Sequence, residues 1–510
     1  MSTASSPHRT DVIVLGAGLA GIGTAATLLR AGVTNFVVLD GGNDVGGTWR
    51  DNSYPGAACD VPSHLYSFSF APKATWTRMY SPHDEILEYI RDVTDRFGVR
   101  PYLRLGQKVE RARWDDDRGC WCLSSATGDH FEAKALVSCI GALRDPAIPS
   151  IPGLDGFAGP VMHSAAWDHD VDLCGLRVGV VGTGASAIQI VPALADQVER
   201  LEVFQRSAPW IVPRDDFAYP QRAKRAFRWV PGLRRAYRSA LYANFELRYL
   251  ALGPLHKQLR NTGRTKALTH LHGQIADPAL RRKLTPDYEM GCKRVLVSDD
   301  YYPALTQPHV ALHTQGIEAI EERAIRLTDG ERIEIDTLIL ATGFTVRSPL
   351  GSLDVRGRGG TSLNARWQER PSAYLGAAVP DFPNLFIVTG PNTGLGHNSI
   401  IFMMESQLRM IGQAVCRTLE PRVRSVEVSE TALRAFEAEV DQRTPTTVWG
   451  SGCQSWYLTE DGTNFAIWPG SSLEFWWRTR RFDERAFLIR HHRSTQREPI
   501  RPTSRLEARP

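Results

Sequence analysis

The chain repeats one local pattern: an apolar strand-length run, a glycine-spaced turn, then a stretch rich in small and aliphatic residues. The first copy runs Asp11-Val12-Ile13-Val14-Leu15, then Gly16-Ala17-Gly18-Leu19-Ala20-Gly21, then Ile22 to Arg30. The second runs Leu176-Arg177-Val178-Gly179-Val180-Val181, then Gly182-Thr183-Gly184-Ala185-Ser186-Ala187, then Ile188 to Leu194. In such strand–turn–helix units the first glycine makes the tight turn. The second lets backbone approach a pyrophosphate, and the third, where alanine is tolerated, lets the helix pack on the strand. The helix N-terminus offers unpaired N–H groups to the phosphates. Two units predict an α/β chain with two doubly wound (Rossmann-like) dinucleotide-binding domains.

A lone glycine fingerprint is a weak signal. The residue about 20 positions further on, at the end of the second strand, carries more information. In the first unit Asn35-Phe36-Val37-Val38-Leu39 ends at Asp40. A carboxylate there accepts from a ribose diol and repels a 2′-phosphate, so this unit should hold FAD or NAD. In the second, Leu201-Glu202-Val203-Phe204-Gln205 ends at Arg206, whose guanidinium favours the 2′-phosphate of NADPH. Gly16, Gly18, Gly21 and Asp40 are thus the expected first set. Gly182, Thr183, Gly184, Ser186 and Arg206 are the second. A dinucleotide beside NADPH points to a flavoprotein in which hydride passes to the flavin. Spacing alone does not separate a reductase from a monooxygenase.

With 510 residues the chain has room for three or four domain-sized units. We expect the first part of the FAD-binding domain at 1–150 and the NADPH-binding domain at 151–335, with the Pro/Gly-rich Arg144–Gly153 stretch as the crossing. The chain is expected to return to the first domain over 336–487, making that domain discontinuous, and to end in a flexible tail at 488–510. Residues 219–287 read as a basic helical insertion in the second domain, packing on the core, with a membrane surface or substrate lid as the other readings. The aromatics Trp468, Phe475, Trp476 and Trp477 read as core or pocket wall.

Composition removes several classes. Net charge is only +4, too balanced for a nucleic-acid footprint, and 42% hydrophobic with 23% charged residues describes an ordinary globular chain. Eight cysteines include no C-x-x-C (Cys120-Trp121-Cys122 has one intervening residue), which disfavours a disulfide scaffold or a dithiol reductase. No metal site is expected. No apolar stretch approaches the roughly 18–20 residues needed to span a bilayer, and Met1–Thr10 lacks an apolar signal region. A cytoplasmic protein is expected.

The segment Phe157-Ala158-Gly159-Pro160-Val161-Met162-His163-Ser164-Ala165-Ala166-Trp167-Asp168 resembles the F-x-G-x-x-x-H-x-x-x-W-[P/D] fingerprint of type I Baeyer–Villiger monooxygenases, within the class B flavoprotein monooxygenases. Gly46-Gly47-Thr48-Trp49 followed by Tyr54-Pro55-Gly56 and Asp60 resembles that family's second pattern. Cys292-Lys293-Arg294, Gly390-Pro391-Asn392-Thr393-Gly394 and Ser455-Trp456-Tyr457 are similar to later family segments. The resemblance covers roughly Asp11 to Phe487. Trp456-Tyr457-Leu458-Thr459 departs from it by lacking a glycine-rich continuation.

The resemblance implies FAD and NADPH as cofactors, with O2 and a small-molecule ketone as substrates. A C4a-peroxyflavin would insert one oxygen beside the carbonyl to give an ester or lactone. It implies Arg294 as the catalytic cation and Asp60 as the carboxylate that holds it. Lys293 would join Arg206 on the 2′-phosphate, and Trp456 would lie near the nicotinamide ribose. Gly47, Thr48 and Trp49 would contact the flavin cofactor. The fingerprint residues Phe157, Gly159, His163, Trp167 and Asp168 would couple domain movement rather than touch substrate. The alternatives are a flavin monooxygenase that oxidises nitrogen or sulfur, where a nearby cation is less needed, and a non-catalytic flavin-binding protein.

Overall fold

Each glycine-turn unit seeds its own sheet, the first mixed and the second parallel, in the computed structural model, which describes residues 6–253, 257–346, 350–452 and 455–492. In the first sheet the central strand His8–Leu15 lies between Phe36–Leu39 and His130–Ser138, parallel to both. Val109–Asp115 and Cys120–Ser125 extend it as an antiparallel meander, and Leu103–Arg104 closes the other edge. Late in the chain, Asp354–Arg356 and Leu385–Ile387 join the same sheet.

Helix Leu19–Arg30 is buried almost all round because it is covered from outside by the long helix Ile400–Leu419, which Ser399 caps by accepting from Ile401 N. Their close approach depends on small residues. A Cβ on Gly23 would fall 2.8 Å from Leu408 Cδ1, and one on Gly412 would fall 3.0 Å from Thr27 Cγ2. Leu408 is 3% exposed, so the contact it makes through that gap is worth about 2–3 kcal/mol.

The second sheet has five strands, all parallel, in the order Val310–His313, Arg200–Phe204, Arg177–Val181, Thr337–Leu340, Val161–His163. Here the expected boundary at 336 needs correction. Thr337–Leu340 pairs with Val178–Val181 on one side and Val161–His163 on the other, so it belongs to the second sheet. A four-residue run buried on both faces fits the interior of any parallel sheet. Nothing local reveals which sheet takes it. The crossing back follows at 341–346 and is bonded to the outgoing crossing: Ala147 N donates to Gly343 O, Thr345 N to Asp145 O and Thr342 Oγ1 to Ala147 O.

Between the paired strands Ile211–Val212 and Leu296–Val297 the chain forms helices Gln221–Trp229, Leu233–Leu247, Tyr249–Leu252, Lys257–Gln274 and Pro278–Leu284. Asp277 caps the last by accepting from Ala279 N and Leu280 N, ahead of a proline whose missing N–H costs nothing there.

The expected tail starts too early. Phe487–His491 is a strand, antiparallel to Val423–Val428, held because Phe487 is buried in the main core. The rest of the predicted tail, 493–510, lies outside the described residues. Among the described residues no helix is long and apolar enough to cross a membrane, and no cluster of His, Cys, Asp and Glu could hold a metal ion.

Candidate active site

A cleft of about 2820 Å³ runs past both glycine turns, lined by Gly16, Gly18, Asp40, Gly47, Thr48 and Trp49 of the first unit and by Gly182, Thr183, Gly184, Ser186 and Arg206 of the second. A drug-sized ligand needs roughly 300–1,000 Å³, so there is room for two dinucleotides and a substrate.

The glycines divide by what each is for. Gly16 has φ +101°, and a Cβ there would lie 2.6 Å from Cys139 O; on Gly21 it would lie 1.7 Å from Gly16 O. Gly182 has φ +116° and Ala341 O at 2.4 Å. Protein packing alone demands these three. The middle glycines are different. A Cβ on Gly18 would meet nothing nearer than Gly47 Cα at 3.6 Å, and one on Gly184 would meet nothing within 4 Å. Their bare backbone faces the cleft and fits the close approach of a pyrophosphate. Gly184→Val should therefore leave folding stability within about 0.5 kcal/mol of wild type, while raising the KM for NADPH at least tenfold. Thermal melts and steady-state kinetics on one preparation check both.

Asp40 is already partly engaged. Its Oδ2 accepts from Ala17 N at 2.7 Å, and Oδ1 accepts from Gly42 N at 2.7 Å and Arg50 Nη1 at 2.9 Å. An ionised carboxylate has about four acceptor positions, which leaves one for a ribose hydroxyl. Gly47 (φ +53°) folds back over Gly18, and Trp49 Nε1 donates to Tyr66 OH at 3.1 Å.

Beyond the second glycine turn two cations converge. Arg206 is exposed, lines the cleft and has no carboxylate partner among the described residues. Lys293 Nζ donates to Ser207 Oγ at 3.1 Å and sits 4.5 Å over the Tyr288 ring. Burial, and then the charge of Arg206, pull the Lys293 pKa below its usual value. The charge of Asp287 offsets this only in part, and two like charges held together suit a dianionic phosphate. Thr183 lies in the same wall, its hydroxyl engaged with Ser207 O.

Arg294 follows Lys293, with Val295 between it and strand Leu296–Val297. Its Nε donates to Asp60 Oδ2 at 2.6 Å and its Nη2 to Asp60 Oδ1 at 2.7 Å, a bidentate fork. Burial raises the Asp60 pKa, but the charge and hydrogen bonds of Arg294, with Arg214 behind, win and hold it below the carboxylate range. Asp60 in turn holds Arg294 firmly cationic against burial. Nη1 has no acceptor among the described residues, and the guanidinium lines the cleft. The Asp60 loop is braced by the second unit: Tyr54 OH donates to Gln189 Oε1 and Gln189 Nε2 to Ala58 O.

The fingerprint residues lie apart from this pair. Phe157 is buried with the second sheet, and a Cβ on Gly159 would lie 2.0 Å from Asp336 O. His163 ends strand Val161–His163, accepts from Ala165 N and faces the Phe344 ring in the returning crossing. Trp167 packs on the second core, and Asp168 accepts from Asp170 N. Trp456 is 49% exposed and lines the cleft. Trp468 and Phe475 are core, whereas Trp477 is 57% exposed with Arg480 over its ring, so it is neither core nor pocket wall.

Sequence reasoning missed Arg214, whose Nη2 donates to Cys59 O beside Asp60. It also missed Glu246, in the insertion, which binds Asn398 Nδ2 at 2.7 Å, Ser472 Oγ at 2.5 Å and Ser472 N at 2.8 Å, with His397 Nε2 at 3.4 Å. Asn398 lines the cleft, so Glu246 ties the insertion to the cleft wall. Burial raises its pKa, but the contacts with His397, Ser472 and Asn398 outweigh it and bring the carboxyl down to about 2. The folded protein binds this proton more weakly than the unfolded chain. The stabilisation is therefore complete above the usual value of 4.5 and is lost as pH falls through about 2. Glu246→Gln should cost roughly 2–3 kcal/mol at neutral pH and flatten the acid-unfolding curve between those two values, as read by denaturant titration.

Residues 9–250 match the family described as flavin-binding monooxygenase-like. A Baeyer–Villiger monooxygenase of Pseudomonas aeruginosa is 40% identical over 494 residues, covering 96% of this chain and 94% of that protein. Another, from Streptomyces coelicolor, is 43% identical over 479 residues, covering 93% and 92%. The crystal structure of cyclohexanone monooxygenase from Rhodococcus sp. Phi1 bound to NADP+ superposes with a TM-score of 0.84 at 27% identity, covering 95% of this chain and 99% of that one.

Proposed function

The chain belongs to the Baeyer–Villiger monooxygenases, and from that premise we propose how its residues use FAD, NADPH and O2 to insert one oxygen atom beside a ketone carbonyl, giving an ester or lactone. Bound FAD, once reduced by NADPH, supplies the electrons and the activation of O2. Everything else falls to the backbone and side chains of the protein. Gly16, Gly18 and Asp40 would hold FAD, together with Gly47, Thr48 and Trp49 of the same cleft wall, while Gly21, outside the cleft lining, lets the helix pack on the turn. Gly182, Thr183, Gly184, Ser186, Arg206 and Lys293 hold NADPH, with Trp456 at the nicotinamide end.

Arg294 is the residue on which oxygen insertion turns. Oxygen must attack the carbonyl carbon as an anion, and negative charge then gathers on the carbonyl oxygen. A guanidinium fixed in a cleft stabilises both without reorganising, a contribution of several kcal/mol. Asp60 is a positioning residue: its fork fixes two of the three Arg294 nitrogens and leaves Nη1 for the reacting oxygens. His163, against Phe344, braces the returning crossing, and the other fingerprint residues fix the second unit behind it, so that together they couple movement between the two units. A cytoplasmic location, where NADPH is supplied, belongs to this reading.

The bidentate Arg294–Asp60 pair inside a cleft shared by both glycine turns carries this reading. NADPH consumption under air, with and without each member of a ketone panel, tests it. Consumption should rise with at least one ketone. A flat response to every ketone would leave an enzyme that only shuttles electrons.

A further inference from the structure

The first hairpin of the insertion carries a surface that the cleft does not use: no residue of helices Gln221–Trp229 and Leu233–Leu247 lines it. Between Asp216 and Glu246 there is no Asp or Glu, while Arg222, Lys224, Arg225, Arg228, Arg234, Arg235 and Arg238 all fall there. Arg238 turns inward, donating to His64 O and pairing with Glu405. The other six have no carboxylate partner among the described residues. In a chain whose net charge is only +4, this is a concentrated positive patch.

The turn between the two helices is apolar and faces water. Trp229 is 72% exposed, Val230 50% and Leu233 37%. The hairpin does not need them for its own packing, since Phe227 and Tyr237 already dock it around His64 and Tyr219. Scattered exposed apolar residues need no explanation. Three within five positions at one tip, ringed by arginines, do.

We propose that this tip docks on the surface of a bilayer containing anionic lipid, with Trp229, Val230 and Leu233 entering the headgroup boundary and Arg225, Arg228 and Arg235 on the lipid phosphates. A basic hairpin with an exposed tryptophan at its apex has the two features interfacial binding requires, apolar insertion and charge attraction. A nucleic acid or acidic protein would use the arginines and leave the aliphatic tip wet. The bilayer uses both.

Sedimentation of the full-length, FAD-loaded enzyme with phosphatidylcholine vesicles, with and without phosphatidylglycerol, tests this. The wild type should pellet with the phosphatidylglycerol vesicles only, and added salt should release it. The triple variant R225Q/R228Q/R235Q should lose about 100-fold in vesicle affinity, and W229S/L233S about tenfold or more. NADPH oxidation in vesicle-free buffer should be unchanged in both. No pelleting of the wild type would overturn the proposal. So would pelleting insensitive to either variant, or a loss confined to the arginine variant, which would mark a surface for a soluble polyanion.

Discussion

Arg294→Ala should lower ester or lactone formation by about 10²–10³-fold, the usual cost of removing one fixed stabiliser of developing oxyanion charge, with flavin absorbance and NADPH-driven flavin reduction intact. The loss should appear in kcat rather than in the KM for ketone, because the interaction is strongest at the transition state. Stability also changes, since Asp60 loses its fork. The side chains are 36% and 27% exposed, so water softens the effect to roughly 1–3 kcal/mol, below the cost of breaking a fully buried pair. Asp60→Ala combined with Arg294→Ala should recover much of that stability and none of the ester. That separation distinguishes a missing catalyst from a damaged fold. Arg294→Lys keeps the charge but loses the fork, and should fall between wild type and Arg294→Ala.

The second large effect concerns cofactor choice. Arg206→Ala with Lys293→Ala should raise the KM for NADPH by about 100-fold and leave that for NADH within about threefold. Each charged hydrogen bond to a phosphate contributes roughly 1.5–3 kcal/mol, and NADH lacks the 2′-phosphate that both would touch. The depressed Lys293 pKa, set by burial and by Arg206, adds a further expectation. Arg206→Ala alone should move the Lys293 pKa upward, so the NADPH KM of that variant should depend less on pH near the alkaline limb. Equal losses with NADPH and NADH would point to a structural role for both residues.

What could be read from the sequence was mostly local. A glycine turn, the strand before it and the Asp40 or Arg206 that ends the next strand all lie within one short unit, and each carries its own steric or electrostatic signature. The middle glycines were legible from their place in the turn, and among the described residues nothing fills the space beside Gly184. Thr337–Leu340 was not assignable, because a doubly buried apolar run fits either sheet. Arg294 and Asp60 stand 234 residues apart, and only the resemblance suggested their pairing. The Glu246 network had no such guide. Its partners lie 152 and 226 residues away, and a lone acid in a basic helix reads as an ordinary surface charge.

The most direct measurement is product analysis by mass spectrometry after turnover under 18O2, with NADPH consumption recorded alongside, for wild type and Arg294→Ala. The wild type should yield an ester or lactone carrying a single heavy oxygen for each NADPH oxidised. Arg294→Ala should divert the same electrons to hydrogen peroxide and leave the ketone unchanged. Labelled ester from Arg294→Ala at the wild-type rate would contradict the role given to that guanidinium.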